Sequence, residues 1–173
     1  LYQVATAGLS PADIAVPIRS VIGRFPNIEI LLAKVLAIDI ENKNLKTERG
    51  VVSYDFLIVA AGATHSYFNH PEWESLAPGL KTLEQATEIR RRVLLAYEKA
   101  EVETDLEVKK SLLTFVVVGG GPTGVELAGA LAEISRETLA KDFKHIDPSQ
   151  SRIILIEAGP RILAAFDPML SKQ

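Results

Sequence analysis

The sequence predicts an α/β protein. Three observations carry that expectation. Phe56–Ala60 and Leu113–Val118 are short apolar runs of the kind that form strands buried on both faces. The second run leads at once into a glycine-rich turn and a helix-forming segment. A further apolar run, Arg152–Ile156, supplies the returning strand of a strand-helix-strand unit. With 173 residues and 47% hydrophobic content the chain has the composition of a globular protein able to bury a core.

Along the chain, the start lies inside what reads as a loop. A helix starts near Asp13–Pro17, where proline suits a first turn, and continues through Ile18, Val21 and Ile22. Strand-like pieces at Ile28–Val35, Leu36–Ile40 with a continuation near Leu45, and Val51–Tyr54 are separated by turn residues, which predicts a small antiparallel meander. Phe56–Ala60 reads as a central parallel strand, and His65–Gly79, with two prolines and Trp73, as a loop. Thr82-Leu83-Glu84-Gln85 fits a capping box opening a helix to about Ala100, with Leu83, Ala86, Ile89, Val93 and Tyr97 on its apolar side. Arg90, Arg91 and Arg92 fan around that helix, so a solvated face is expected rather than a phosphate site. Glu101–Lys110 reads as a linker or helix end. A strand follows at Leu113–Val118, a helix from Pro122 to about Leu139, and a strand at Arg152–Ile156. The expected domains are 1–80, a connecting helix and linker over 81–111, and 112–173.

Charge and composition exclude several function classes. The 19 basic and 22 acidic residues leave a net charge of −3, so no nucleic-acid partner is indicated. The absence of cysteine removes disulfides, thiolate catalysis and thiolate metal ligands. No metal site is expected, because His65, His70 and His145 lack ligand spacing. No apolar run reaches the roughly 20 residues of a membrane span, and Leu1–Leu9 lacks a signal-peptide pattern. The default compartment is cytoplasmic. The first residue is not methionine, and the chain reads as a piece of a longer protein, with both domains incomplete.

The chemistry-bearing motif is Gly119-Gly120-Gly121-Pro122-Thr123-Gly124, a G-x-G-x-x-G between a strand and a helix. Gly119 permits the tight turn, Gly121 lets the backbone approach a pyrophosphate, and Gly124 lets helix and strand pack closely. The helix start adds N–H groups and a positive dipole end. Glu157, at the end of the next strand, is placed to accept hydrogen bonds from adenosine ribose hydroxyls, which favours NAD(H) over NADP(H). Arg161 is the counter-signal, since an arginine in that turn could meet a 2′-phosphate. Glu157 lies 38 positions after Gly119, against an expectation of about 20. The polar stretch 141–150 accounts for the excess as an insertion. Glu126 suits a helix start electrostatically, and it also lies near the expected nicotinamide path. A solvated strand-end acid is the bland alternative for Glu157.

These residues resemble the pyridine nucleotide-disulfide oxidoreductase superfamily, flavoproteins with two Rossmann-like dinucleotide-binding domains. The resemblance covers essentially the whole chain. Besides the glycine motif it rests on Tyr54–Ala63, which looks like the second FAD-contacting signature. Within the superfamily the chain is most similar to type II NADH dehydrogenases, through Leu1–Gly8, Gly124–Gly129, the insertion and Ile156–Arg161. The resemblance implies FAD and NAD as cofactors and NADH and a quinone as substrates, with hydride passing from NADH to FAD and electrons onward to quinone. It places Glu126 beside nicotinamide and flavin as the catalytic candidate, has the Val35 backbone meet the FAD adenine, and lets the backbone at Ala61 and Gly62 approach the flavin cofactor. It also implies a peripheral position on the cytoplasmic membrane face for the intact protein and leaves a homodimer open. Two rivals stand: an NADH-dependent flavoprotein that reduces a small redox protein, and a non-catalytic NADH-binding sensor. A 1–173 piece alone is expected to be inactive.

Overall fold

The computed structural model describes residues 1–171. Its α-helices, among the described residues, are α1 (Tyr2–Ala5), α2 (Pro11–Ile14), α3 (Ile18–Ile22), α4 (Leu83–Val102), α5 (Leu106–Leu112) and α6 (Pro122–Glu133). Its strands are β1 (Val35–Asp39), β2 (Asn44–Thr47), β3 (Gly50–Ser53), β4 (Thr114–Val118) and β5 (Arg152–Ile156). The chain packs as two compact units, Ala15–Ala63 and the combination of Leu1–Ile14 with Thr64–Gln173.

In the 15–63 unit, β1, β2 and β3 form the expected antiparallel meander, with Asp39 opposite Asn44 and Thr47 opposite Gly50. Local chemistry closes both turns. The Asp39 carboxylate accepts from the Asn42 N–H at 3.0 Å and from its side-chain amide at 2.9 Å. Thr47 Oγ1 accepts from the Arg49 N–H at 3.1 Å, and Gly50 takes φ +129°, a region closed to most side chains.

Two strand expectations fail in this unit. Residues 28–34 are irregular, because β2 already has β1 on one edge and β3 on the other, and pairs with the preceding chain only from Val35. Phe56–Ala60 forms no strand, and Phe56 and Ile58 stand 95% and 91% exposed. A parallel strand needs a neighbour for its backbone groups and cover for both faces. Among the described residues this unit offers neither.

The other unit is built on α4 and the β4–α6–β5 segment. Thr82 and Gln85 make the expected capping box, which fixes where α4 begins. Ala86, Val93, Tyr97 and Ala100 bury one stripe of the helix. Tyr97 is fully buried among Val93, Val117, Leu131, Ile134 and Leu139, with the Phe115 and Phe143 rings 5.4 and 5.9 Å away. Its hydroxyl is satisfied by Ser135 at 2.8 Å and Ser151 at 3.0 Å. Strands β4 and β5 pair in parallel with Val117 opposite Leu155.

The sheet is covered on one face only, against the expectation of strands buried on both. Phe115, Val117, Ile153 and Leu155 face the core, whereas Val116, Val118 and Ile156 are 54%, 72% and 48% exposed. Two short helices also lie where loop or linker was expected. In α1, Val4 and Ala5 are buried against Ala86 and the half-buried Leu127. In α5, the Asp105 carboxylate accepts from the Glu107 and Val108 N–H groups at 2.8 and 3.2 Å, a capping signal inside an acidic stretch. Helix α6 ends at Glu133, and Ile134–Thr138 continues as a π-helical turn. Of the arginine run, Arg91 and Arg92 both pair with Glu88, and Arg92 also donates to the Ser75 and Leu76 carbonyls. No described helix is long and apolar enough to cross a membrane.

Candidate functional site

The glycine loop grows directly out of β4. Gly119 leaves the strand at φ +108° while its N–H donates to the Ile156 carbonyl at 2.8 Å, so the loop begins where the two strands are still tied together. A Cβ on Gly124 would fall on the Gly119 carbonyl oxygen, so helix and turn approach as closely as glycine alone permits. At Gly121 the opposite holds: a Cβ there would meet nothing within 4 Å. Glycine at that position therefore leaves an open approach to the backbone from outside.

Gly121 is the N-cap of α6, Pro122 is its first residue, and no side chain caps the helix. The first turn therefore presents N–H groups that the helix cannot satisfy itself, together with the positive end of its dipole. Thr123 is exposed on this turn and Gly124 half-buried beneath it. An open backbone, unpaired donors and a positive dipole end suit a diphosphate.

Glu157 sits across this loop. Its Oε2 accepts from the Gly120 N–H at 2.6 Å and its Oε1 from the Gly159 N–H at 2.7 Å. The Gly159 and Gly120 amides hold this carboxyl below its ordinary value, so it is charged at neutral pH. Each carboxylate oxygen keeps acceptor capacity beyond the one bond it makes. Gly120 is wedged in turn, since a Cβ there would lie 2.9 Å from Ile162 and 3.0 Å from Glu157.

Arg161 is bound up in the turn after β5. Its guanidinium donates to the carbonyls of Leu163 at 3.2 Å, Ala164 at 2.7 Å and Phe166 at 3.0 Å, and to Ser171 Oγ at 2.9 Å. Both terminal nitrogens of the guanidinium are thus engaged within the turn that follows β5. Glu126 lies on the second turn of α6 and is exposed. Val35, Ala61 and Gly62 belong to the 15–63 unit. Val35 opens β1 and is 49% exposed, and Gly62 takes φ +72° with open space around its missing Cβ.

The structure thus brings together Gly119, Gly120, Gly121, Pro122, Thr123, Gly124 and Glu157, with Glu126 farther along the same helix. It adds Ile162 and Leu163, which sequence reasoning passed over: Leu163 donates its N–H to the Gly120 carbonyl at 2.6 Å. No residue spacing marks that bond. The histidines are apart: His70 pairs with Glu72 at 2.9 Å, His145 with Glu101 at 2.9 Å, and His65 lies 3.8 Å from Glu74. Among the described residues no group of three metal-ligating side chains gathers.

Fold and loop together define an α/β protein with a Rossmann-type strand, glycine turn and helix. The family described as pyridine nucleotide-disulphide oxidoreductase matches residues 1–173, and the chain belongs to it. It is 47% identical to the type II NADH:quinone oxidoreductase NdhA of Mycobacterium tuberculosis, over 98% of this chain and 37% of that protein. It is 43% identical to the type II NADH:quinone oxidoreductase Ndh of the same organism, over all of this chain and 38% of that protein. A solved structure of NDH2 from Plasmodium falciparum in complex with NADH superposes with a TM-score of 0.80 at 28% identity, covering 99% of this chain and 36% of that one. The chain spans little more than a third of the length of these relatives.

Proposed function

We propose that the intact protein to which this chain belongs is an FAD-dependent NADH dehydrogenase that passes electrons to a quinone. The observation that carries the reading is the open backbone at Gly121, at the uncapped start of α6, with Glu157 fastened to the loop beside it. The acceptor follows the relatives, which are type II NADH:quinone oxidoreductases.

The residues present fit the cofactors. Gly119–Gly124 and the first turn of α6 hold the diphosphate of NADH through backbone N–H groups. Glu157 accepts from the adenosine ribose hydroxyls, and its charge disfavours a 2′-phosphate. Glu126 is the acid that borders the nicotinamide and orients it. In the other unit the Val35 backbone meets the adenine of FAD, and the exposed backbone at Ala61 and Gly62 leaves room for the flavin cofactor. When bound, the flavin supplies the two-electron acceptor for the hydride of NADH. The protein's part is to hold donor and acceptor in register. Residues 1–80 then serve the FAD-binding domain, 81–111 connect, and 112–173 open the NAD-binding domain.

The test is to purify the intact protein and record its visible spectrum. A flavin spectrum bleached by NADH and restored by a soluble quinone is expected. A colourless protein that binds NADH would instead establish the sensor, and a flavin reoxidised only by a small redox protein would replace quinone as acceptor. A peripheral position on the cytoplasmic membrane face completes the reading, and recovery in a salt-extractable membrane fraction checks the membrane association. Sedimentation of the same preparation separates homodimer from monomer.

A further inference from the structure

The turn after β5 is bound back onto the glycine loop, and one side chain organises it. Leu163 takes φ +52°, a left-handed conformation that a leucine keeps only where its surroundings over-determine it. The Arg161 guanidinium supplies that determination by gripping the carbonyls of Leu163, Ala164 and Phe166, and Ser171 Oγ. Ser171 Oγ donates in turn to the Ile162 carbonyl at 2.7 Å. Held this way, the turn delivers the Leu163 N–H to the Gly120 carbonyl at 2.6 Å and rests Ile162 against Gly120.

A trans peptide is planar, with its C=O and N–H pointing in opposite directions. Fixing the Gly120 carbonyl toward Leu163 therefore turns the Gly121 N–H away from that turn. The preceding peptide is fixed as well, through the Gly120 N–H on Glu157 at 2.6 Å. Two successive peptide planes of the loop are thus set from behind, one by Glu157 and one by the Arg161-organised turn.

We propose that Arg161 is a positioning residue for the diphosphate of NADH: it orients the Gly121 N–H through Leu163 and Gly120 without touching the ligand. This rests on the NADH-binding reading above. It also assigns the arginine a role opposite to a 2′-phosphate contact, because its donors serve the turn. The device acts on the ADP half of the ligand and leaves the nicotinamide half alone.

The test uses the intact protein with Arg161→Ala and Arg161→Lys, assayed with NADH and with reduced nicotinamide mononucleotide, which lacks the ADP half. Lysine keeps the charge and cannot span three carbonyls and a hydroxyl. Both variants are expected to raise the KM for NADH about tenfold, with kcat at saturating NADH and kcat/KM for the mononucleotide within about twofold of wild type. Ser171→Ala, a milder change that keeps the guanidinium, should raise the NADH KM in the same direction by less. An unchanged NADH KM in Arg161→Ala, a wild-type KM in Arg161→Lys, or equal losses with NADH and the mononucleotide would each overturn the proposal. Should the alanine variant not fold, the Lys and Ser171 variants decide it. Failure of the wild-type protein to oxidise NADH would be a failure of the functional reading instead.

Discussion

Glu157 accepts a 2.6 Å hydrogen bond from the Gly120 N–H, so the acid that ends β5 is fastened to the loop that ends β4. The bond is possible because the two strands run parallel in register, Val118 opposite Ile156, and finish side by side. A carboxylate in this position does two things at once: it sets a loop peptide and presents negative charge at the edge of the candidate site.

Those two roles separate by substitution. Glu157→Gln keeps an acceptor for Gly120 and removes the charge, whereas Glu157→Ala removes both. The glutamine variant should shift selectivity toward NADPH by about tenfold with a small loss for NADH, and the alanine variant should lose NADH affinity as well. Titration of each variant with both nucleotides checks this, and unchanged selectivity in both would remove Glu157 from the ribose contact.

The glycine loop should respond in opposite ways at two positions. Gly124→Ala puts a methyl on the Gly119 carbonyl, so the helix start must shift, at a cost of about 1–3 kcal/mol in stability together with lost NADH binding. Gly121→Ala has open space for its methyl and a φ of −74° that alanine adopts freely. Its thermal midpoint should match wild type while NADH affinity falls about tenfold, because the methyl occupies the approach path. Calorimetry and nucleotide titration on the two variants give the contrast.

Tyr97→Phe should cost about 1–3 kcal/mol in denaturant unfolding, since it leaves two inward-facing serine hydroxyls without their shared partner. Ser135 retains its bond to the Leu131 carbonyl. The larger part of the loss therefore falls on Ser151, and a Tyr97→Phe/Ser151→Ala double variant should recover part of the stability.

Acid should loosen the attachment of the 71–77 segment to α4. Hydrogen bonds from Arg91 and then Arg92 lower the Glu88 carboxyl from 4.5 to about 2. A depressed carboxyl stabilises the folded state fully above its unfolded value and loses that contribution as pH falls through the folded one. The difference in melting temperature between wild type and Glu88→Gln should be constant above pH 4.5 and vanish toward pH 2. The pair is solvent-facing, so the effect is small, and salt should shrink it further.

Local patterns were legible where a few neighbouring residues settle the matter. Thr82 and Gln85 announce the start of α4, residues 41–44 and 48–50 mark the meander turns, and Gly119–Gly124 declares a strand-to-helix turn, because capping, positive φ and close approach depend on residues within one turn of each other. Asp105 announced α5 in the same way and was obscured by the acids around it. Burial of the strand-like runs was not legible: Phe56, Ile58, Val59 and Val116 carry apolar side chains whose fate depends on neighbours, and among the described residues no element covers them, so they stand exposed. The destinations of Arg161 and Leu163 were equally hidden. A guanidinium can serve a phosphate or a ring of carbonyls with the same donors, and only the folding of residues 162–171 back onto Gly120 decided between them. Neighbouring residues alone settled the start of α4, the meander and the chemistry of the glycine loop, whose information is local. Tertiary structure alone decided which faces are covered and which donors are already engaged, because both depend on residues far apart along the chain.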